Sequence, residues 1–197
     1  MPYRRTPAIE ARLAGQRTAV VDAAVGLLAE RGYAGCSMAA VAERAGMATG
    51  SVYKHFDSKA ELAVELFRTV VGREVAAVAA AAAVPADPVE RVVAVVETFA
   101  YRALKSPRLA YALLAEPVDP AVDAERLVFR RTFRDLFAAS VAAGVATGAL
   151  PPQDPQVSAA ALVGAVAEAL IGPLSEGATS PDVVPALVRF VLRAMGA

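Results

Sequence analysis

Residues 36–62 read CSMAAVAERAGMATGSVYKHFDSKAEL, and this run decides the fold, because it holds two short helices around a glycine turn and the start of a third. Ser37 is an N-cap residue, Val41 and Ala42 form the inner face of the helix it starts, and Gly46 supplies the left-handed residue that ends it. After Met47 a second helix is expected from about Thr49 to His55, with Val52 turned inward. Its other residues, Thr49, Gly50, Ser51, Tyr53, Lys54 and His55, are small, polar or basic, a surface that suits a nucleic-acid groove. Phe56 is assigned to the core. Ser58 and Glu61 then form Ser-x-x-Glu, a capping box, so a long helix starts there with backbone N–H groups free to meet an anion.

Tyr53, His55, Phe56 and Lys59 spell Tyr-x-His-Phe-x-x-Lys. Together with the Ala45-Gly46 turn and the capped helix, they make residues 10–65 resemble the DNA-binding segment of the Tet-repressor-like transcriptional regulators. The resemblance implies a homodimer with two heads in successive major grooves of a palindromic operator. Residues 1–57 would be the helix-turn-helix DNA-binding domain, and residues 58–197 a helical ligand-sensing and dimerisation domain. It also implies DNA contacts at Ser37, Thr49, Gly50, Ser51, Tyr53, Lys54, His55 and Lys59. Tyr53, His55 and Lys59 would hold phosphates with the N-terminus of the fourth helix, while Thr49, Gly50, Ser51 and Lys54 approach base edges. This chain departs from the family at Met47-Ala48, where Val-Ser is frequent, and at Ala39, where many members carry a long polar side chain. Base reading then rests on fewer side chains.

Charge distribution agrees with DNA as partner, since duplex affinity comes mainly from phosphate neutralisation; taken alone, it is equally that of an ordinary solvated surface. Residues 1–60 hold eight basic residues (Arg4, Arg5, Arg12, Arg17, Arg31, Arg44, Lys54, Lys59) against five acids, a net of +3. The remainder carries −3, and the overall charge of zero hides this asymmetry.

The 197 residues suffice for a small head and one larger body, and a composition 56% apolar but only 6% aromatic points to an Ala- and Val-rich helical core. Uncharged stretches such as Val75–Ala86 and Phe137–Gln153 are broken by Pro or Gly and do not read as bilayer spans. The polar, basic N-terminus lacks a secretory pattern. A cytoplasmic protein without a membrane partner is expected, and the single cysteine, Cys36, reads as a small packed residue between the first two helices, with a redox sensor as the alternative.

Beyond residue 60, an N-cap residue directly precedes proline at Asp87-Pro88, Ser106-Pro107, Asp119-Pro120, Asp154-Pro155 and Ser180-Pro181. Proline at the first helical position loses no hydrogen bond and presets φ, so each pair reads as a helix start. The expected fold is all-α, with about nine helices near 9–31, 38–45, 49–55, 58–83, 88–105, 107–115, 119–147, 153–175 and 180–196. No sustained two-residue alternation calls for a sheet.

Ile9, Leu13, Val20, Ala24, Leu27 and Leu28 lie on one face of the first helix and would clamp the head together, with its N-terminal arginines left exposed. Broad apolar faces near the C-terminus, with Leu162, Val166, Leu170, Val184, Leu187, Val188 and Val191, are assigned to a four-helix seam between two copies; the competing reading is that they close the protomer core. In the middle helices, Phe67, Val71, Glu97, Phe99, Tyr111 and Phe133 are assigned to a cavity for an unknown, mainly apolar effector, with Thr98 and Arg102 as further polar anchors. One His and one Cys cannot build a metal cage, and no nucleophile, Walker or zinc-ligand spacing appears, so neither an enzyme nor a cofactor is expected. A regulator without a ligand, an activator and a protein-binding helical scaffold are the alternatives.

Overall fold

A computed structural model describes residues 7–84, 87–177 and 182–197. Among these residues there are helices and no strand: α1 (Pro7–Arg31), a single 3₁₀ turn (Tyr33–Gly35), α2 (Met38–Arg44), α3 (Thr49–Val52), α4 (Lys59–Ala82), α5 (Pro88–Lys105), α6 (Pro107–Leu114), α7 (Pro120–Thr147), α8 (Pro155–Glu176) and α9 (Val183–Met195). The proline rule locates its starts through real caps. The Asp87 carboxylate accepts from the N–H groups of Val89 and Glu90, Asp119 from Ala121, and Asp154 from Gln156 and Val157. Ser106 differs, because it ends α5 as well as starting α6 and its hydroxyl caps neither. Ser180-Pro181 lies outside the described residues, as do Arg4 and Arg5 of the basic N-terminus.

α3 is shorter than its expected 49–55. Beyond Val52 the chain continues in tighter turns, with the N–H of Lys54 donating to Ser51 and that of His55 to Val52. At the preceding turn Gly46 has φ 66°, the left-handed value that ends α2.

α1 to α3 pack around Val20, Ala24, Leu28, Val41, Val52 and Phe56, each fully enclosed. Burying a ring such as Phe56 is worth roughly 1.5–3 kcal/mol. This core does not stop at residue 57: it runs on through Leu62, Leu66 and Phe67 of α4 and meets Ala112, Leu113 and Val122 from α6 and α7. A second core is built where α4 packs on α5 and α7, α7 on α8, and α5 on α9.

The side chains expected at the dimer seam turn inward. Leu162, Val166, Leu170, Val184, Leu187 and Val191 are buried within the protomer, and Val188 packs partly against the same core. Helical spacing marks a face that will be covered without saying by whom, and α5 and α7 cover it here. What α8 and α9 leave outside is different: Val157, Ala161, Gly164 and Ala169 on α8, and Phe190, half exposed, on α9. By length and composition α8 is also long and apolar enough to cross a membrane, with mean hydropathy 1.8 over an 18-residue window. Glu168 divides it, so no uncharged stretch of the sequence marks its full length.

Candidate nucleic-acid interface and ligand cavity

α2 and α3 present one ledge. The Ser37 hydroxyl accepts from the N–H of Ala40 and caps α2, so that oxygen is occupied although the residue is exposed. Thr49, Gly50, Tyr53, Lys54 and Lys59 are exposed, and Ser51 and His55 are half-buried. Val52 and Phe56 are enclosed beneath them and fix the ledge to α1. A methyl group added at Gly50 would meet no atom of this protein within 4 Å. Packing therefore does not require glycine there.

α4 begins as its capping pattern suggests, with one shift in register. The Ser58 hydroxyl accepts from the N–H of Glu61 at 3.1 Å, but the Glu61 carboxylate reaches past the N-cap to the N–H of Asp57 at 2.7 Å. The helix start thus carries its own acid, and a phosphate approaching it must share the field with Glu61.

Counting cations in the sequence overstates what the head can offer to phosphates. Arg17, expected to be exposed, pairs with Glu65 of α4 at 2.9 Å while its guanidinium stacks over the Phe56 ring at 4.8 Å. This hydrogen bond holds the Glu65 carboxyl below the ordinary carboxylate range. Arg44 makes a two-pronged pair with Glu30 at 2.7 and 2.6 Å, clipping α2 to α1. Lys54 and Lys59 remain exposed beside the ledge. Cys36 is buried, its thiol donating to the carbonyls of Gly32 and Ala24, and burial pushes that thiol up to about 11.

A cavity of about 90 Å³ lies between α4, α5, α7 and α8. Phe67 and Phe129 meet edge-on at 5.5 Å in its wall, as do Phe99 and Phe133 at 5.4 Å. Of the residues assigned to the cavity, Phe67, Val71, Phe99 and Phe133 line it, whereas Glu97 and Tyr111 do not. Arg102 stays outside, bound to Glu74, and Glu74 is the acid that reaches the wall. Val166, assigned to the dimer seam, lines the cavity instead. Sequence reasoning missed Arg126 and Arg130, since an arginine on an amphipathic helix reads as a solvated face. The cavity adjoins a larger cleft of about 530 Å³, which shares Leu114, Arg130, Val163 and Ala167 with it and adds Arg131 and Arg134. Only Arg134 of these three has a carboxylate partner among the described residues, its neighbour Asp135.

Arg126 also has structural work outside the cavity. Its guanidinium donates to the carbonyls of Ala112, Leu113 and Glu116 at 2.7–2.9 Å and to Asp123 at 2.8 Å, gathering the free carbonyls at the end of α6. The Glu116 carboxylate in turn accepts from the N–H groups of Tyr33 and Ala34, at 3.1 and 3.3 Å, at the start of the 3₁₀ turn in the head. Gly32 has φ 68°, and any β-carbon there would sit 2.5 Å from a Glu116 oxygen.

The head sequence and the overall fold are similar to those of known proteins. The sequence profile described as bacterial regulatory proteins, tetR family, matches residues 20–66. Over 144 residues the chain is 31% identical to the HTH-type transcriptional repressor KstR2 of Rhodococcus jostii (strain RHA1), a span of 68% of this chain and 67% of that one. The fold superposes on a TetR/AcrR-family regulator from Thermobifida fusca with TM-score 0.70 and 28% identity, over 90% of this chain and 97% of the other. It also superposes on the regulator FadR of Bacillus subtilis in complex with stearoyl-CoA, with TM-score 0.77 and 20% identity, over 90% and 96%.

Proposed function

The chain belongs to the tetR family of bacterial regulatory proteins, and from that premise we propose that it is a cytoplasmic homodimeric repressor released from a palindromic operator by an amphipathic ligand. The observation that carries the DNA-binding part is the ledge. Thr49, Gly50 and Lys54 stand exposed on a sealed core with open space beyond Gly50, while Tyr53 and Lys59 flank them. In this reading Tyr53, His55 and Lys59 hold phosphates, and Thr49, Gly50, Ser51 and Lys54 meet base edges. Ser37 contributes through its backbone end, because its hydroxyl already caps α2.

Dimerisation is assigned to the outward faces of α8 and α9 rather than to their buried faces. Small residues at Ala161 and Ala169 allow close backbone approach, and Phe190 supplies apolar area. Two heads related by a two-fold axis read inverted half-sites.

The ligand's apolar part enters the aromatic cavity and its acidic part meets Arg130, Arg131 and Arg134 at the adjoining cleft. FadR, on the same fold, binds a molecule of this build, stearoyl-CoA. The cavity is smaller than the ~150 Å³ that holds benzene in an engineered apolar core. A longer ligand therefore has to wedge the helices apart, and this conformational demand is the differential affinity that linkage requires. A gel shift with duplex from upstream of the protein's own gene tests the proposal. With about 6–10 phosphates contacted per dimer, affinity should fall roughly 10³- to 10⁵-fold between 50 and 200 mM salt. Stearoyl-CoA should release the duplex and raise the melting temperature. Salt-indifferent binding, or a monomer at micromolar concentration, refutes the arrangement.

A further inference from the structure

The head joins the body through α4, through the apolar core it shares with α6 and α7, and through a polar tie at Glu116. Apolar packing is non-directional and tolerates small changes of angle; a hydrogen-bonded tie at the far side of that core fixes the angle. Three features converge on the second point. Both Glu116 oxygens are used, one on each of two successive N–H groups in the head. Gly32 leaves the space that a β-carbon would fill. Arg126 holds the Glu116 carbonyl together with the two carbonyls that end α6, so the base of the tie depends on one guanidinium. Arg126 also lines the cavity, one turn from Arg130.

We infer that Glu116 is a positioning residue that sets the angle of the head for operator binding, and that Arg126 is where occupancy of the cavity slackens this tie. The second half rests on the reading that the cavity takes a ligand. A guanidinium that binds three carbonyls from one chain turn cannot shift without freeing all three. A molecule that pushes on Arg126 therefore loosens the end of α6 and, with it, the carboxylate that grips Tyr33 and Ala34.

The test compares a palindromic duplex selected by the wild-type protein from a random pool with a duplex carrying one half-site. Glu116→Ala should weaken palindrome binding roughly tenfold, on the scale of two lost hydrogen bonds, and leave half-site binding unchanged, because each head is intact but their mutual set is lost. Glu116→Gln, which keeps one acceptor, should fall between. Arg126→Lys should act in the same direction, and the double variant should be no worse than the stronger single one. Amide exchange at Tyr33 and Ala34 should accelerate in Glu116→Ala. Ala167→Phe, which fills cavity space without any ligand, should weaken palindrome binding when made alone and add little to Glu116→Ala. Unchanged palindrome binding in Glu116→Ala, or equal losses on both duplexes, overturns the positioning role. Additive effects of Ala167→Phe and Glu116→Ala overturn the route through Arg126. If the wild type selects no duplex, the DNA-binding reading fails instead.

Discussion

Replacing Gly50 with alanine should make this protein more stable and a worse DNA binder. Gly50 has a helical, negative φ, and a β-carbon added to it meets nothing within 4 Å. Alanine fits there without strain and mainly restricts the unfolded chain, a gain of about 0.4–1 kcal/mol. For a chain of this length that raises the melting temperature by roughly 1–4 °C. On DNA the added methyl group stands off the base edges that Thr49 and Lys54 should reach. Losing one good base contact weakens binding by about 1–3 kcal/mol, roughly 5- to 150-fold. Gly72 in α4 is the control, since a β-carbon there also meets nothing within 4 Å but lies away from the ledge. Gly72→Ala should stabilise the protein and leave DNA affinity untouched. Differential scanning fluorimetry and fluorescence anisotropy with a labelled operator read both quantities. A Gly50→Ala protein that binds DNA like wild type would refute the placement of α3 in the groove, and a destabilised one would refute the claim that nothing inside the protein needs glycine there.

Lys59→Ala should weaken binding to all sequences alike and reduce the salt slope by about two, one for each head of the dimer, whereas Lys54→Ala should change preference at specific positions; matching losses from both variants would undo this division of labour. Cys36 should resist alkylation by iodoacetamide at pH 8 while folded and react quickly once unfolded, since a thiol pushed up to about 11 by burial is almost wholly protonated there. Glu65 has a folded pKa depressed by the Arg17 hydrogen bond, so its contribution to stability is present above the ordinary carboxylate range and is lost as pH falls through the lower folded value. Arg17→Met should remove that acid dependence from melting curves between pH 6 and pH 3, and curves that stay parallel to those of wild type would show that the pair is not coupled to folding.

Sequence disclosed the helices well because their ends are local chemistry. An Asp before a Pro, and Gly46 after a short apolar face, each act through atoms only a few residues away. The expected α3 runs too long because Tyr53 and Lys54 carry no local stop signal, while the tightening that ends it depends on burying Phe56 beneath α1. The inward faces of α8 and α9 were legible as apolar and illegible as to partner, which is set by the packing of α5 and α7. Phe67, Val71, Phe99 and Phe133 were legible at the cavity because aromatic and branched residues concentrate there. Arg126 and Glu116 were missed because the partners that tie head to body are backbone groups, and a backbone group has no letter in a sequence.

The core that runs unbroken from Val52 and Phe56 through Leu62 and Leu66 to Ala112, Leu113 and Val122 bears on how this regulator can be re-engineered or can diverge. A cut after residue 57 severs a shared interior rather than a linker. A foreign head grafted there would inherit a socket shaped for Phe56 and a carboxylate left without the two amides of the lost 3₁₀ turn. On the proposed reading of α3, new operator specificity should be reached by changing its exposed residues in place. Exchange of whole heads between relatives should be better tolerated when α6 and the first turn of α7 travel with them.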